Sequence, residues 1–196
     1  MNPYLLIPNI LKETSTGLEK YAIWDDMLLK REIECMHEIT PESTHSLILQ
    51  LRYLQSKNPE KEITMYINSP GGDVSSGLAL YDVMKAIKCP IRTVCVGLAA
   101  SMSALLFICG NQRDMLPHAR VMIHDPMIMG GITGNALRID NVSKDLMKIR
   151  EIAGTIIAQH TGKDLNEVFA KTSTDSYFDA NEAVAFGLAD KIIYEI

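Results

Sequence analysis

Two periods of apolar and polar positions alternate along the chain. Ile63, Met65 and Ile67 alternate with Thr64 and Tyr66, the period-two pattern of a strand. Apolar, β-branched runs at Ile91 to Val96 and at Arg120 to Ile123 predict two further, buried strands. Leu47, Leu51 and Leu54 recur at helical spacing behind Thr40-Pro41-Glu42, where Thr40 suits a cap and Pro41 the first helical position. Leu80, Met84 and Ile87 share one face of a helix expected over Ser75 to Ile87. A long helical stretch runs from about Asn135 to His160 and is broken by Thr161-Gly162. Short helices follow over Leu165 to Ala170 and Asn181 to Phe186, the latter capped by Gly187. Asp25 to Glu34 reads as helical at first, and Ile33 to Ile39 as strand-like. Strands alternating with helices of this length predict βαβ units and an α/β fold.

The 196 residues fit one domain of about 21–196, preceded by an arm over residues 1–20. That arm contains Pro3, Pro8 and the turn Thr14-Ser15-Thr16-Gly17, and is expected to be mobile with an apolar anchor. A net charge of −5 argues against nucleic acid and anionic membranes as main partners. No apolar run is long enough to span a bilayer, and the first residues lack the basic lead of a signal peptide. Cys35, Cys89, Cys95 and Cys109 show no C-x-x-C spacing and suggest reduced, buried thiols in a cytoplasmic protein.

Candidate chemistry gathers where strands end. The run Gly97-Leu98-Ala99-Ala100-Ser101-Met102 reads as strand, sharp turn and helix, with Ser101 at the helix start. Backbone N–H groups and the helix dipole there favour negative charge, as an oxyanion beside a serine nucleophile requires. The competing role for Ser101 is a plain N-cap. Gly71-Gly72 lies in a turn after the preceding strand; it lets the backbone approach a ligand closely, or serves only a tight turn. His124 also stands at a strand's end, as a general base would or as a structural histidine. His160, at a helix C-terminus, sits where a cation is favoured. No two histidines have the spacing of a metal site. Spacing does not choose an orienting carboxylate among Asp73, Asp125, Asp140, Asp164 and Asp175.

Five motifs stand in order: Tyr66-Ile67-Asn68-Ser69-Pro70-Gly71-Gly72, the Ser101 turn, Leu116 to Pro126 around His124, His160-Thr161-Gly162, and Phe178 to Asp190. Together they resemble the proteolytic subunit of the ATP-dependent Clp (caseinolytic) protease, from about Leu6 to the C-terminus. The resemblance implies a crotonase-like α/β fold with a protruding strand-helix handle at about residues 127–160. It implies heptameric rings stacked as a tetradecamer, unfolded proteins as substrates and a Clp-family AAA+ unfoldase as partner. That partner would use the ATP, so this chain needs no cofactor. By position, Ser101 resembles the family nucleophile, His124 its base and Asp175 its triad acid. The oxyanion donors fall on the backbone N–H groups of Gly72 and Met102. Gly71, with Gly130 and Gly131 in a strand before the long helix, is expected to bind extended substrate by backbone hydrogen bonds.

The chain also departs from the family pattern. Ser173 and Thr174 stand where the family often has an acid–arginine pair that links the rings. Asp114, Thr64 and Ala86 fall where aromatic residues often line the pocket that docks the unfoldase. Fewer rings there should weaken docking. The departures suggest a second, paralogous subunit in a mixed barrel, and a conditionally active or non-catalytic ring subunit as the alternative function. A crotonase-type acyl-CoA enzyme would share the fold, but fold alone does not give function.

Overall fold

The computed structural model describes residues 9–15 and 17–196. The apolar stretch of the arm's first eight residues lies outside the described residues. The rest of the arm contributes a hairpin: β1 (Asn9–Thr14) and β2 (Gly17–Ala22) pair antiparallel, closed by the Thr14 hydroxyl donating to the Gly17 carbonyl.

Helix α1 (Ile23–Leu29) and strand β3 (Glu32–Cys35) are both shorter than the sequence pattern predicts. Between them the chain turns at Arg31, whose φ is +68°. Its buried guanidinium donates to the carbonyls of Leu54, Asn58, Lys61 and Glu62. A long-range anchor of this kind leaves no trace in local periodicity. Ile39 lies outside β3 and forms an isolated bridge with Gly72.

Helix α2 (Pro41–Lys57) begins as expected, with the Thr40 side chain accepting from the Ser43 N–H. Its Leu47, Leu51 and Leu54 are buried, each worth about 1.5–3 kcal/mol relative to exposure. Strand β4 (Ile63–Ser69) buries Ile63, Met65 and Ile67 completely. Helix α3 (Val74–Ala86) follows the glycine turn, capped by Asp73.

Strand β5 (Ile91–Ala100) extends four residues past the expected end, through Gly97. Its first half pairs with β6 (Gln112–Met115), a strand that its polar sequence hid, and its second half with β7 (Arg120–Ile123). Gly97 stands at the changeover. A Cβ there would meet the Asn68 side-chain oxygen at 2.6 Å, and that oxygen accepts from the Leu98 N–H. Helix α4 (Met102–Ile108) is buried along its whole length.

Helix α5 (Ala136–Thr161) starts at an Asn135 cap and ends at Gly162, which is left-handed at φ +70°. Only Gly154, Ile156 and Ile157 of α5 are buried. Leu137, Ile139 and Met147 are exposed, so its first half stands clear of the core. The strand expected around Gly130 and Gly131 is not formed: residues 124–134 run without ladder pairing. After α6 (Leu165–Thr172) come β8 (Ser176–Phe178), α7 (Ala180–Phe186) and β9 (Lys191–Ile192). The main sheet has the order β3-β4-β5-β6-β9, with β7 beside β5 and β8 beside β7. All its ladders are parallel except β7 with β8. This is the mixed α/β architecture expected. It brings the C-terminal ends of β4, β5 and β7 to one edge, where such sheets bind ligands.

Candidate active site

Ser101 follows β5 at that edge. It holds the position before α4, but its side chain caps nothing. Its backbone sits at φ +55°, ψ −122°, a conformation that costs a non-glycine residue roughly 1–3 kcal/mol. With Arg31 it is one of two such non-glycine residues among the described residues. The N-cap role is therefore set aside by geometry: the hydroxyl points away from the helix N–H groups and towards His124.

Several neighbours hold this turn. The Ser101 N–H donates to the Met122 carbonyl at 2.9 Å, tying it to β7. Ser103 is fully buried; its hydroxyl accepts from the Ala100 N–H and reaches the carbonyls of Ser69 and Ala100 at 2.7 and 2.8 Å. Ser69 in turn bonds the His37 carbonyl and accepts from the Gly71 N–H. Sequence reasoning singled out neither serine for this work. The spacing Ser101-x-Ser103 was the available signal, since a serine in the first turn of a buried helix is free to bond backward.

Gly71 has φ +92°, and a Cβ there would meet the Ala100 carbonyl at 2.6 Å and the Ser101 Cβ at 2.8 Å. The two turns are thus pressed together. Gly72, at φ +147°, bridges Ile39: the Ile39 N–H donates to the Gly71 carbonyl and the Asp73 N–H to the Ile39 carbonyl. In a parallel bridge of this kind the N–H of the central residue faces the other way. Neither the Gly72 nor the Met102 N–H has a backbone or side-chain acceptor among the described residues. Gly130 and Gly131 lie in the exposed loop before α5, Gly130 at φ +93°.

His124 ends β7. Its Nε2 lies 2.7 Å from the Ser101 Oγ. On its other side, Nδ1 is buried without a hydrogen bond and stands 3.7 Å from Asp175 Oδ1. The β7–β8 register explains this meeting. Ile123 pairs with Ser176, so one step further along the antiparallel ladder His124 faces Asp175. The other carboxylates are engaged elsewhere. Asp73 and Asp164 cap α3 and α6, Asp140 pairs with Lys144, and Asp125 binds Thr172 and Arg150.

Beside Ser101 and His124 a small pocket opens, walled by Met102, Leu105, Ile123, Pro126, Ala153 and Ile157. The lining is apolar, so it suits an apolar side chain. Met102 is packed closely on α3, where Gly77 leaves the room: a Cβ at that position would sit 2.1 Å from Met102 Cγ.

His160 does not carry the charge expected of it. The ring is half-buried against the Tyr81 hydroxyl at 2.9 Å, and burial, with Lys85 and Arg113 nearby, pulls its pKa down to about 4. Burial raises the Cys35 thiol to about 11 and those of Cys95 and Cys109 to about 12, so none of the three is a ready nucleophile. Asp114 is fully buried, held by Arg92 and Gln112. Among the described residues no cluster of three or more His, Cys, Asp or Glu has the makings of a metal site, and no helix is long and apolar enough to cross a membrane.

The Clp protease family model matches residues 15–195, nearly the whole chain, and the chain belongs to the Clp protease family.

Proposed function

We propose that this chain is the proteolytic subunit of an ATP-dependent Clp protease, a serine endopeptidase acting on unfolded polypeptides. Membership of the family makes a Clp-type serine peptidase the coarse reading, and the family generally forms rings with AAA+ partners. The observation that carries the finer reading is the 2.7 Å contact between Ser101 Oγ and His124 Nε2, at a serine held at φ +55°.

In this reading His124 takes the Ser101 proton as Oγ attacks a peptide carbonyl, and returns it to the leaving amine. The Gly72 and Met102 N–H groups receive the oxyanion. An acyl-enzyme forms and water releases it. Asp175 orients the imidazole through Nδ1. Gly71, Gly130 and Gly131 align extended substrate through backbone hydrogen bonds. Heptameric rings stacked as a tetradecamer would enclose the sites, in the cytoplasm, with ATP consumed by an AAA+ unfoldase and not by this chain.

A second reading has a specific observation behind it. The open 3.7 Å gap and the unpartnered Nδ1 suit a subunit that is active only with a paralogous partner in a mixed barrel.

Intact mass after exposure to a serine-reactive fluorophosphonate tests the proposal. One adduct per chain, absent in Ser101→Ala, is the expected result. Turnover of short peptides should fall at least about 10³-fold in Ser101→Ala. Full turnover in that variant would sink the assignment. An adduct that appears only after a paralogous subunit is added would favour the second reading.

A further inference from the structure

His124 and Asp175 are bracketed by two ties between their segments. On one side Ile123 pairs with Ser176 in the β7–β8 ladder. On the other side Asp125 meets Thr172, the last residue of α6, twice. The Asp125 N–H donates to the Thr172 carbonyl at 2.6 Å, and the Thr172 hydroxyl donates to Asp125 Oδ1 at 2.6 Å. The loop between these ties, residues 172–176, is also closed on itself by the Ser176 hydroxyl donating to the Lys171 carbonyl. Asp175 therefore rides on a short, pinned loop, and the position of that loop sets how far its carboxylate stands from the ring.

The Asp125 carboxylate is itself held. Arg150, on α5, donates from Nε to Asp125 Oδ2 at 2.6 Å. Its guanidinium lies 3.9 Å from the centroid of the Phe169 ring on α6. Phe169 reaches α5 closely because Gly154 has no side chain; a Cβ there would meet the ring at 2.4 Å. Arg150 is thus fixed between a carboxylate and an aromatic face, where a lysine would not do the same work. Both oxygens of Asp125 are occupied by this arrangement and neither points at His124.

We propose that Asp125, Arg150 and Thr172 form a positioning unit, which holds the loop carrying Asp175 in register with the strand end carrying His124. This rests on the reading of Ser101 and His124 as nucleophile and base. None of the three touches the reacting atoms. They act through His124 and Asp175, by fixing the frame in which an imidazole and a carboxylate must meet within a fraction of an ångström.

The test compares the full-length protein with Thr172→Val, Thr172→Ser and Arg150→Gln, on a short peptide substrate and with the fluorophosphonate. Valine keeps the shape of threonine and removes the donor to Asp125. Thr172→Val and Arg150→Gln should each lower kcat and the rate of Ser101 labelling about 10- to 100-fold. KM should stay within about 2-fold, because the apolar pocket and the N–H donors are untouched. Thr172→Ser, which restores the hydroxyl, should recover kcat to within about 3-fold of the parent. Should Thr172→Val fold poorly, Arg150→Gln decides the matter, since Arg150 is partly exposed and its loss opens no cavity in the core. Unchanged kcat in the folded variants overturns the positioning unit and leaves the catalytic reading intact, as does a raised KM with kcat unchanged. A parent protein that shows neither adduct nor turnover, alone or with a paralogous subunit added, overturns the catalytic reading, and the positioning unit with it.

Discussion

Ser101 and Asp175 flank the same imidazole and are secured very differently. Ser101 sits in a turn tied to β7 through Met122, braced from below by the buried Ser103 and pressed from the side by Gly71. Asp175 has a side chain that is 56% exposed and lies beyond hydrogen-bond reach of His124 Nδ1. One half of the site is over-determined by packing; the other rests on a loop held by a few polar contacts. A strained conformation persists only where its surroundings insist on it, so the serine side demands the rigid frame. The carboxylate side, 3.7 Å from the ring, needs only a small shift to close.

The largest effect that would sharpen this contrast is expected at Asp175 itself. Asp175→Asn should lower kcat about 10²- to 10⁴-fold if the gap closes during turnover, because the amide favours the wrong imidazole tautomer. Steady-state kinetics on a short peptide reads this directly; a loss under tenfold would mean that the exposed carboxylate never engages the ring. Gly71→Ala probes the rigid half. The added Cβ meets backbone on two sides and the φ of +92° is strained for alanine, so a loss of about 2–4 kcal/mol in unfolding free energy is expected. Urea denaturation measures it, and an unchanged midpoint would show that the turn yields more easily than its packing suggests.

The smallest effect concerns His160, whose folded pKa of about 4 lies below its ordinary value of 6.5. Between those values the unfolded chain binds a proton that the folded chain does not. This contribution to stability is intact above about pH 6.5 and declines as pH falls towards 4. At a half-exposed ring, solvent screening limits the loss to about 1 kcal/mol. Thermal melts at pH 7 and pH 5 should show a larger drop for the parent than for His160→Gln, which has no proton to take up. Equal drops would assign the acid sensitivity to other groups.

Much of the fold was legible before the structure. Alternation found β4, helical spacing and the Thr40 cap found α2, and Gly162 and Gly187 marked two helix ends. The misses share a cause. β6 reads Gln112-Arg113-Asp114-Met115, too polar to betray a strand, because Asp114 is neutralised by Arg92 on the neighbouring strand. β5 runs on through Gly97 because it changes partners there, from β6 to β7. The charge expected on His160 was outweighed by burial against Tyr81. Each depends on a partner distant in the chain.

The sequence by itself determined which small or polar residues follow the strands, Gly71 and Gly72, Ser101 and His124, although β5 runs four residues past its expected end. Periods of two and of 3.6 are local properties, readable within a few turns of chain. Which carboxylate meets the histidine was not local. By spacing alone five aspartates had equal standing; the family resemblance pointed to Asp175, and the antiparallel register of β7 and β8 is what sets it opposite His124. The neighbouring Asp125, adjacent in sequence, is turned away to Thr172 and Arg150. Register between segments some fifty residues apart is fixed by packing and ladder hydrogen bonds, so no local pattern in the chain could make that choice and the tertiary structure supplies its physical reason.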